Sequence, residues 1–170
     1  MDDVPALREV MSRAINSLQA RSLTPEQLRV SHMVMGLDSQ LVQDGTYFIV
    51  ETDGQIAGCG GWSWRSTLYG GDESMVSRQP KALHPAIDVA RIRAMYTDPD
   101  FARRGVGRTV VSLCEDASRQ AGFRRATLIA TMAGVPLYKA CGYVEIEPLL
   151  SAPIDAVRVP LVRMEKHLGL

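Results

Sequence analysis

The sequence predicts an α/β domain built on a mixed sheet, on three observations. Apolar stripes at helical spacing open the chain and recur after residue 105. A strong turn pair, Asp53-Gly54, separates two stretches rich in β-formers. Beyond residue 90 the pattern runs strand, helix, strand, helix, strand, strand, which suits helices layered on a sheet. With 170 residues, the chain is expected to form one domain, 1–170, with a sizeable core.

Leu7, Val10, Met11, Ala14, Ile15 and Leu18 form the first stripe. Thr24-Pro25-Glu26-Gln27 announces a second helix: Thr24 caps the free amides, Pro25 suits the first helical position, and Gln27 completes a capping box. Residues 46–51 read as a strand and 55–62 as its return, where Gly58, Gly60 and Gly61 predict a bulge or a close backbone approach. Residues 65–87, with Gly70-Gly71, Pro80 and Pro85, have little periodicity and predict a functional lid or a disordered excursion. A strand is expected at 90–96. It is followed by a helix striped with Val110, Leu113, Cys114, Ala117 and Ala121 and ended by Gly122 in the left-handed conformation. Residues 126–131 read as a buried strand, 134–140 as a short helix, and 143–149 and 157–165 as closing strands.

Nineteen basic residues balance nineteen acidic ones, so no global field draws the chain to nucleic acid or an anionic membrane. Cys59, Cys114 and Cys141 show neither disulfide-framework nor zinc spacing, and they read as small buried hydrophobes in a reducing compartment; no metal is expected. No apolar run reaches membrane-spanning length, and the acidic start is unlike a signal peptide. A cytoplasmic location is expected.

The chemistry centres on Ala102-Arg103-Arg104-Gly105-Val106-Gly107-Arg108, between a strand and an amphipathic helix. Successive amides in such a turn, joined to a helix N-terminus, form a nest of positive partial charge, and glycine lets a ligand approach the backbone. Pyrophosphate suits that nest, and Arg103, Arg104 and Arg108 add charge to its rim. A Rossmann fingerprint would need glycine where Val110 stands, and no P-loop GK[ST] is present. A lone GxG also serves ordinary turns, so the context must decide.

That context resembles the GNAT superfamily of acetyl-CoA-dependent N-acetyltransferases. The run from Tyr96 to Arg108 is similar to its motif A, whose glycine loop holds the coenzyme A pyrophosphate, and Tyr138-Lys139-Ala140-Cys141-Gly142-Tyr143 is similar to its motif B. The resemblance implies a mixed, mostly antiparallel sheet flanked by helices. It also implies main-chain pairing of Met95, Tyr96 and Thr97 with pantetheine, and pyrophosphate on the amides of Arg103, Arg104, Gly105, Val106, Gly107 and Arg108. There are two departures. Ala102 stands where Arg or Gln is usual, and the first helix begins almost at Met1, so the family's opening strand is missing or the chain starts late.

Acyl transfer to an amine needs a neutral amine, a polarised carbonyl and a proton for the departing thiolate. Tyr138 aligns with the family's general acid, although as an isolated residue it reads as a core tyrosine. His84, Asp88 and Glu51 are the nearest candidates for a base; a water chain, or an acceptor that binds already neutral, would need none. Trp62, Arg65, Tyr69 and Asp72 are expected to wall an acceptor pocket, with Trp62 and Trp64 on one strand face. Asp72 would attract a cationic amine and Arg65 a carboxylate. The cysteines lack a catalytic partner, so direct attack in a ternary complex is expected. Acetyl-CoA is the expected donor and a small-molecule or protein amine the acceptor. A monomer and a homodimer both stay open, and a CoA-binding regulatory module without turnover is the alternative.

Overall fold

Alternating residues of a strand face opposite sides of a sheet, and here that alternation decides which helix covers which face. The computed structural model describes residues 3–74 and 81–169. Its six strands are β1 Tyr47–Thr52, β2 Gln55–Ser63, β3 Ala90–Thr97, β4 Arg125–Thr131, β5 Val144–Leu150 and β6 Pro160–His167, in the order β1-β2-β3-β4-β6-β5. Every neighbouring pair is antiparallel except β3 and β4. The helices are α1 Val4–Ala14, α2 Pro25–Val34, α3 Ser39–Gln43, α4 Val106–Gln120 and α5 Val135–Ala140.

Local chemistry set several boundaries. Asp53 (φ 52°) and Gly54 (φ 74°) form the primed turn that matches strand twist in the β1–β2 hairpin. The Thr24 hydroxyl accepts from the Gln27 amide at 3.2 Å, while the Gln27 side chain accepts from the Thr24 amide at 3.1 Å. Gly122 (φ 90°) ends α4, and the Phe123 amide donates to the Ser118 carbonyl at 3.0 Å, completing the cap. Two elements were not anticipated. A π-helical turn, residues Ile15–Gln19, extends α1, and α3 is capped by the Asp38 side chain accepting from the Gln40 amide. Among the described residues no strand precedes α1, so β1 is an outer strand of the sheet.

The glycines of β2 admit a helix. A Cβ on Gly58 would stand 2.6 Å from Val106 Cγ1, and one on Gly60 would stand 2.8 Å from Val110 Cγ1. Val106 and Val110 are one helical turn apart, so α4 lies directly on the strand. The expected bulge is present, but its extra residue belongs to β3. Cys59 pairs with Tyr96 and Gly61 with Arg93, leaving two residues of β3 opposite Gly60, with Ala94 at φ 51°. The bulge reverses the side of the sheet to which the later residues of β3 point. Ile92 packs in the core under α4, whereas Tyr96 joins the α1 cluster of Leu7, Val10, Met11 and Ile15.

Cys59 and Cys114 are buried, as expected for small hydrophobes, whereas Cys141 is half-buried; burial pushes the Cys59 thiol up to about 11. Among the described residues no helix is long and apolar enough to cross a membrane, and no group of three or more His, Cys, Asp or Glu could hold a metal.

Candidate active site

Parallel strands β3 and β4 pair only at Ala90–Ala126, Arg91–Thr127 and Ile92–Leu128. Beyond Ile92 they share no further pair among the described residues, so the sheet opens toward its carboxyl ends, where ligands enter open α/β sheets. Met95, Tyr96 and Thr97 lie on β3 past that point, with Tyr96 and Thr97 paired to Cys59 and Gly58 of β2 on their other side. A cavity of about 100 Å³ occupies the opening. Met95, Tyr96, Leu128, Thr131 and Tyr138 line one part of it; Gln19, Met35, Gly36, Tyr69 and Gly70 line another.

The turn at 103–108 leads from β3 into α4. Arg103 (φ 66°) and Gly105 (φ 89°) are both left-handed, and Gly105 is the cap residue of α4. The first backbone bond of the helix runs from the Thr109 amide to the Gly105 carbonyl at 3.0 Å, so the amides of Val106, Gly107 and Arg108 precede any intrahelical acceptor. A Cβ at Gly105 would meet nothing within 4 Å, leaving open space over the turn. Arg103, Arg104 and Arg108 are exposed around it. This arrangement suits a pyrophosphate. Gly107 also sits against α5: its Cβ would stand 2.8 Å from Leu137 Cδ2, so glycine there lets α4 approach α5. From α1, Arg13 pairs with Asp98 at 3.1 Å and Asp100 at 2.6 Å, pinning the chain just before the turn.

Tyr138 is buried on α5, its ring 6.0 Å from that of Tyr143. Burial raises its pKa far above the ordinary phenol value, with Cys114 and Cys141 adding to the shift. The phenol therefore keeps its proton at neutral pH and is able to donate a hydrogen bond.

Of the four residues expected to wall an acceptor pocket, three lie away from this cavity. Trp62 is a core residue, edge-on to Phe123 at 6.0 Å and to Trp64 at 5.6 Å, and does not line the cavity. Arg65 makes a bidentate pair with Asp44, at 2.7 and 2.8 Å, with its guanidinium over Trp64. Asp72 accepts from the Ser39 amide and hydroxyl, at 3.0 Å each. Only Tyr69 of the four lines the opening. His84, Asp88 and Glu51 do not: the Asp88 carboxylate accepts from the His84 amide at 2.7 Å, and Glu51 is exposed on β1. Part of the expected lid is hydrogen-bonded to the body of the domain, the Gly71 amide donating to the Val34 carbonyl at 3.1 Å and the Asp72 amide to the Leu37 carbonyl at 2.8 Å. Residues 75–80 of that expectation lie outside the described residues.

Sequence reasoning missed the residues that hold this wall. Arg93 pairs with Asp38 at 2.6 Å, both buried, and donates to the Gly70 carbonyl at 2.9 Å. The Tyr96 hydroxyl accepts from the Gly36 amide at 2.8 Å. Gln19 is buried, its side-chain oxygen accepting from Ser31 Oγ at 2.7 Å. An arginine inside an apolar strand signals a buried partner, but nothing local tells where that partner lies in the chain.

A sheet opened between its parallel strands over a glycine-led helix is the acyl-CoA N-acyltransferase fold anticipated from motifs A and B. The acetyltransferase (GNAT) family model matches residues 13–143, and the chain belongs to that family. Similar solved structures include a GCN5-related N-acetyltransferase from Rhodopseudomonas palustris, at 16% identity and TM-score 0.70, covering 98% of this chain and 90% of that one. The ribosomal-protein-S18-alanine N-acetyltransferase of Escherichia coli is similar at 16% identity and TM-score 0.58, covering 100% and 90%. A PaiA N-acetyltransferase from Thermoplasma acidophilum, solved in complex with coenzyme A, is similar at 12% identity and TM-score 0.61, covering 98% and 93%. No curated protein matches the sequence.

Proposed function

We propose that this chain, as a single domain, transfers the acetyl group of acetyl-CoA to a primary amine by direct attack in a ternary complex. The observation that carries the reading is the opening of β3 from β4 beside both the α4 N-terminus and the buried Tyr138. Main chain at Met95, Tyr96 and Thr97 would pair with the pantetheine arm along the freed edge of β3. The 103–108 turn would hold the pyrophosphate, and Tyr138 would protonate sulfur as the carbon–sulfur bond breaks. Binding without turnover is a second reading, favoured by one observation: no carboxylate or imidazole lines the cavity among the described residues.

Acetyl-CoA should raise the melting temperature by mass action on the folded state, and mixing with primary amines should release thiol. Gly105→Val should abolish the thermal shift, because a β-branched residue cannot hold φ 89° without strain. Calorimetry showing no acetyl-CoA binding to the folded wild type would overturn both readings. Binding with no thiol release across an amine panel selects the second.

A further inference from the structure

Among the described residues, the cavity that would receive the amine carries no net charge in its lining. Its ionisable lining residues are Tyr69, Tyr96, Tyr138 and Arg93, and Arg93 faces Asp38 at 2.6 Å. Other charged groups nearby line a separate cavity of about 150 Å³ that shares Met35 and Gly36 as a partition. There Glu73 pairs with Arg8 at 3.2 Å, Asp72 holds Ser39, and His32 bonds Asn16 at 2.8 Å. The sequence of residues 75–80, Met-Val-Ser-Arg-Gln-Pro, contains no carboxylate and no histidine. Among the described residues, an ammonium entering the inner cavity would lose its water and meet no unpaired anion in the lining, so the site favours the neutral amine.

Gln19 adds a specific contact. Gln19, the last residue of the π turn, lies on the buried side of the first helix, where Ser31 Oγ donates to its oxygen at 2.7 Å. That bond directs the amide nitrogen toward Met35 Sδ, a weak acceptor at 3.3 Å, and leaves a donor hydrogen for the cavity that Gln19 lines. We propose that the acceptor is an amine adjacent to a carbonyl, the α-amino group of a peptide or aminoacyl compound, bound neutral with Gln19 donating to the carbonyl. This rests on the acetyltransferase reading. The proton balance closes without a separate base: nitrogen bonds the acetyl carbon, the carbon–sulfur bond breaks, and Tyr138 gives sulfur a proton. Tyr138 then regains the proton that nitrogen sheds. An ammonium would have one further proton to lose.

The inference separates amines by their own basicity. At pH 7 roughly a tenth of α-amines are neutral, against roughly one in 2,500 lysine ε-amines. The test compares two short peptides: one with a free N-terminus and no lysine, the other N-acetylated with one lysine, with thiol release followed from pH 6 to 10. At pH 7 the α-amine peptide should show kcat/KM more than about tenfold higher, and its profile should level off near its own amine pKa of about 8. Gln19→Leu should raise its KM about fivefold, the value of one neutral hydrogen bond, with the acetyl-CoA KM unchanged. Equal use of the lysine peptide at pH 7, or a plateau reached by pH 7 with both peptides, would overturn the proposal. An unchanged KM in a folded Gln19→Leu variant would remove Gln19 from it. Thiol release from neither peptide at any pH, while other primary amines release thiol, would overturn the proposal alone; no release from the peptides or from a panel of primary amines, with acetyl-CoA bound, would overturn the acetyltransferase reading itself.

Discussion

On the α4 side of the opening, the 103–108 turn and the first helical turn are one continuous stretch of chain. On the α1 side, the wall is assembled from Gln19, Met35-Gly36 and residues 68–71, joined by Tyr96, Arg93 and Asp38. The first region works through backbone geometry, which a short motif encodes. The second works through tertiary contacts between side chains distant in sequence. A side that binds through amides tolerates changes in its side chains, whereas a side hung on one buried ion pair does not.

The largest expected effect falls where the two sides meet, at Tyr138. Tyr138→Phe should lower kcat by about 10²–10⁴, the usual value of general acid assistance, with melting temperature and acetyl-CoA affinity nearly unchanged. Because burial raises the phenol's pKa, wild-type kcat should show no loss from Tyr138 ionisation up to about pH 10, the ordinary phenol value. A Phe variant within about threefold of wild type, below the assistance range, would assign Tyr138 to packing.

A second test breaks the α1 side alone. Asp38→Ala would leave the Arg93 guanidinium buried without its carboxylate, a change that typically costs about 3–5 kcal/mol. Urea unfolding should report that loss, while Arg104→Ala, exposed on the other side, should cost less than about 0.5 kcal/mol. Equal losses would erase the distinction between the two regions.

The smallest effect is expected at Arg65, which nearness along the chain assigns to the acceptor wall and the fold places against Asp44. Arg65→Met should leave the acceptor KM within about twofold, below the value of one neutral hydrogen bond, and cost about 1 kcal/mol of stability. The hydrogen bond from Arg65 chiefly holds the Asp44 carboxyl below its ordinary range. A depressed carboxyl pKa gives stability that is full above the unfolded value of about 4 and fades as pH falls through the folded one. The gap in melting temperature between wild type and variant should therefore be constant at neutral pH and close only in acid. A gap unchanged by acid would contradict the pairing.

Elements with their own local chemistry were legible in the sequence: the Asp53-Gly54 turn, the Thr24 capping box, the Gly122 stop, and the strand–turn–helix around Gly105. The segment Ile15–Gln19 escaped because a π turn differs from an α turn by one residue of winding and keeps the same apolar stripe. Helix α3 left a signal in Asp38 as cap and Gly45 (φ 69°) beyond its end, but five residues are too few for a periodic pattern. Trp62, Arg65 and Asp72 were grouped by nearness along the chain; strand alternation sends Trp62 into the core, and Arg65 and Asp72 find their partners near α3. Gln19 is the converse case, a polar residue on an apolar stripe whose reason lies in Ser31 and the cavity.

The contact between Gly107 and Leu137 makes α4 and α5 behave like meshed gear teeth. A larger side chain at that point would press on the end of Leu137, so the small size of Gly107 lets the two helices approach there. Tyr138 is the next residue after Leu137, so its hydroxyl is geared to the first turn of α4. The spacing between the first turn of that helix and the phenol therefore depends on how these side chains pack as well as on the loops that join the elements.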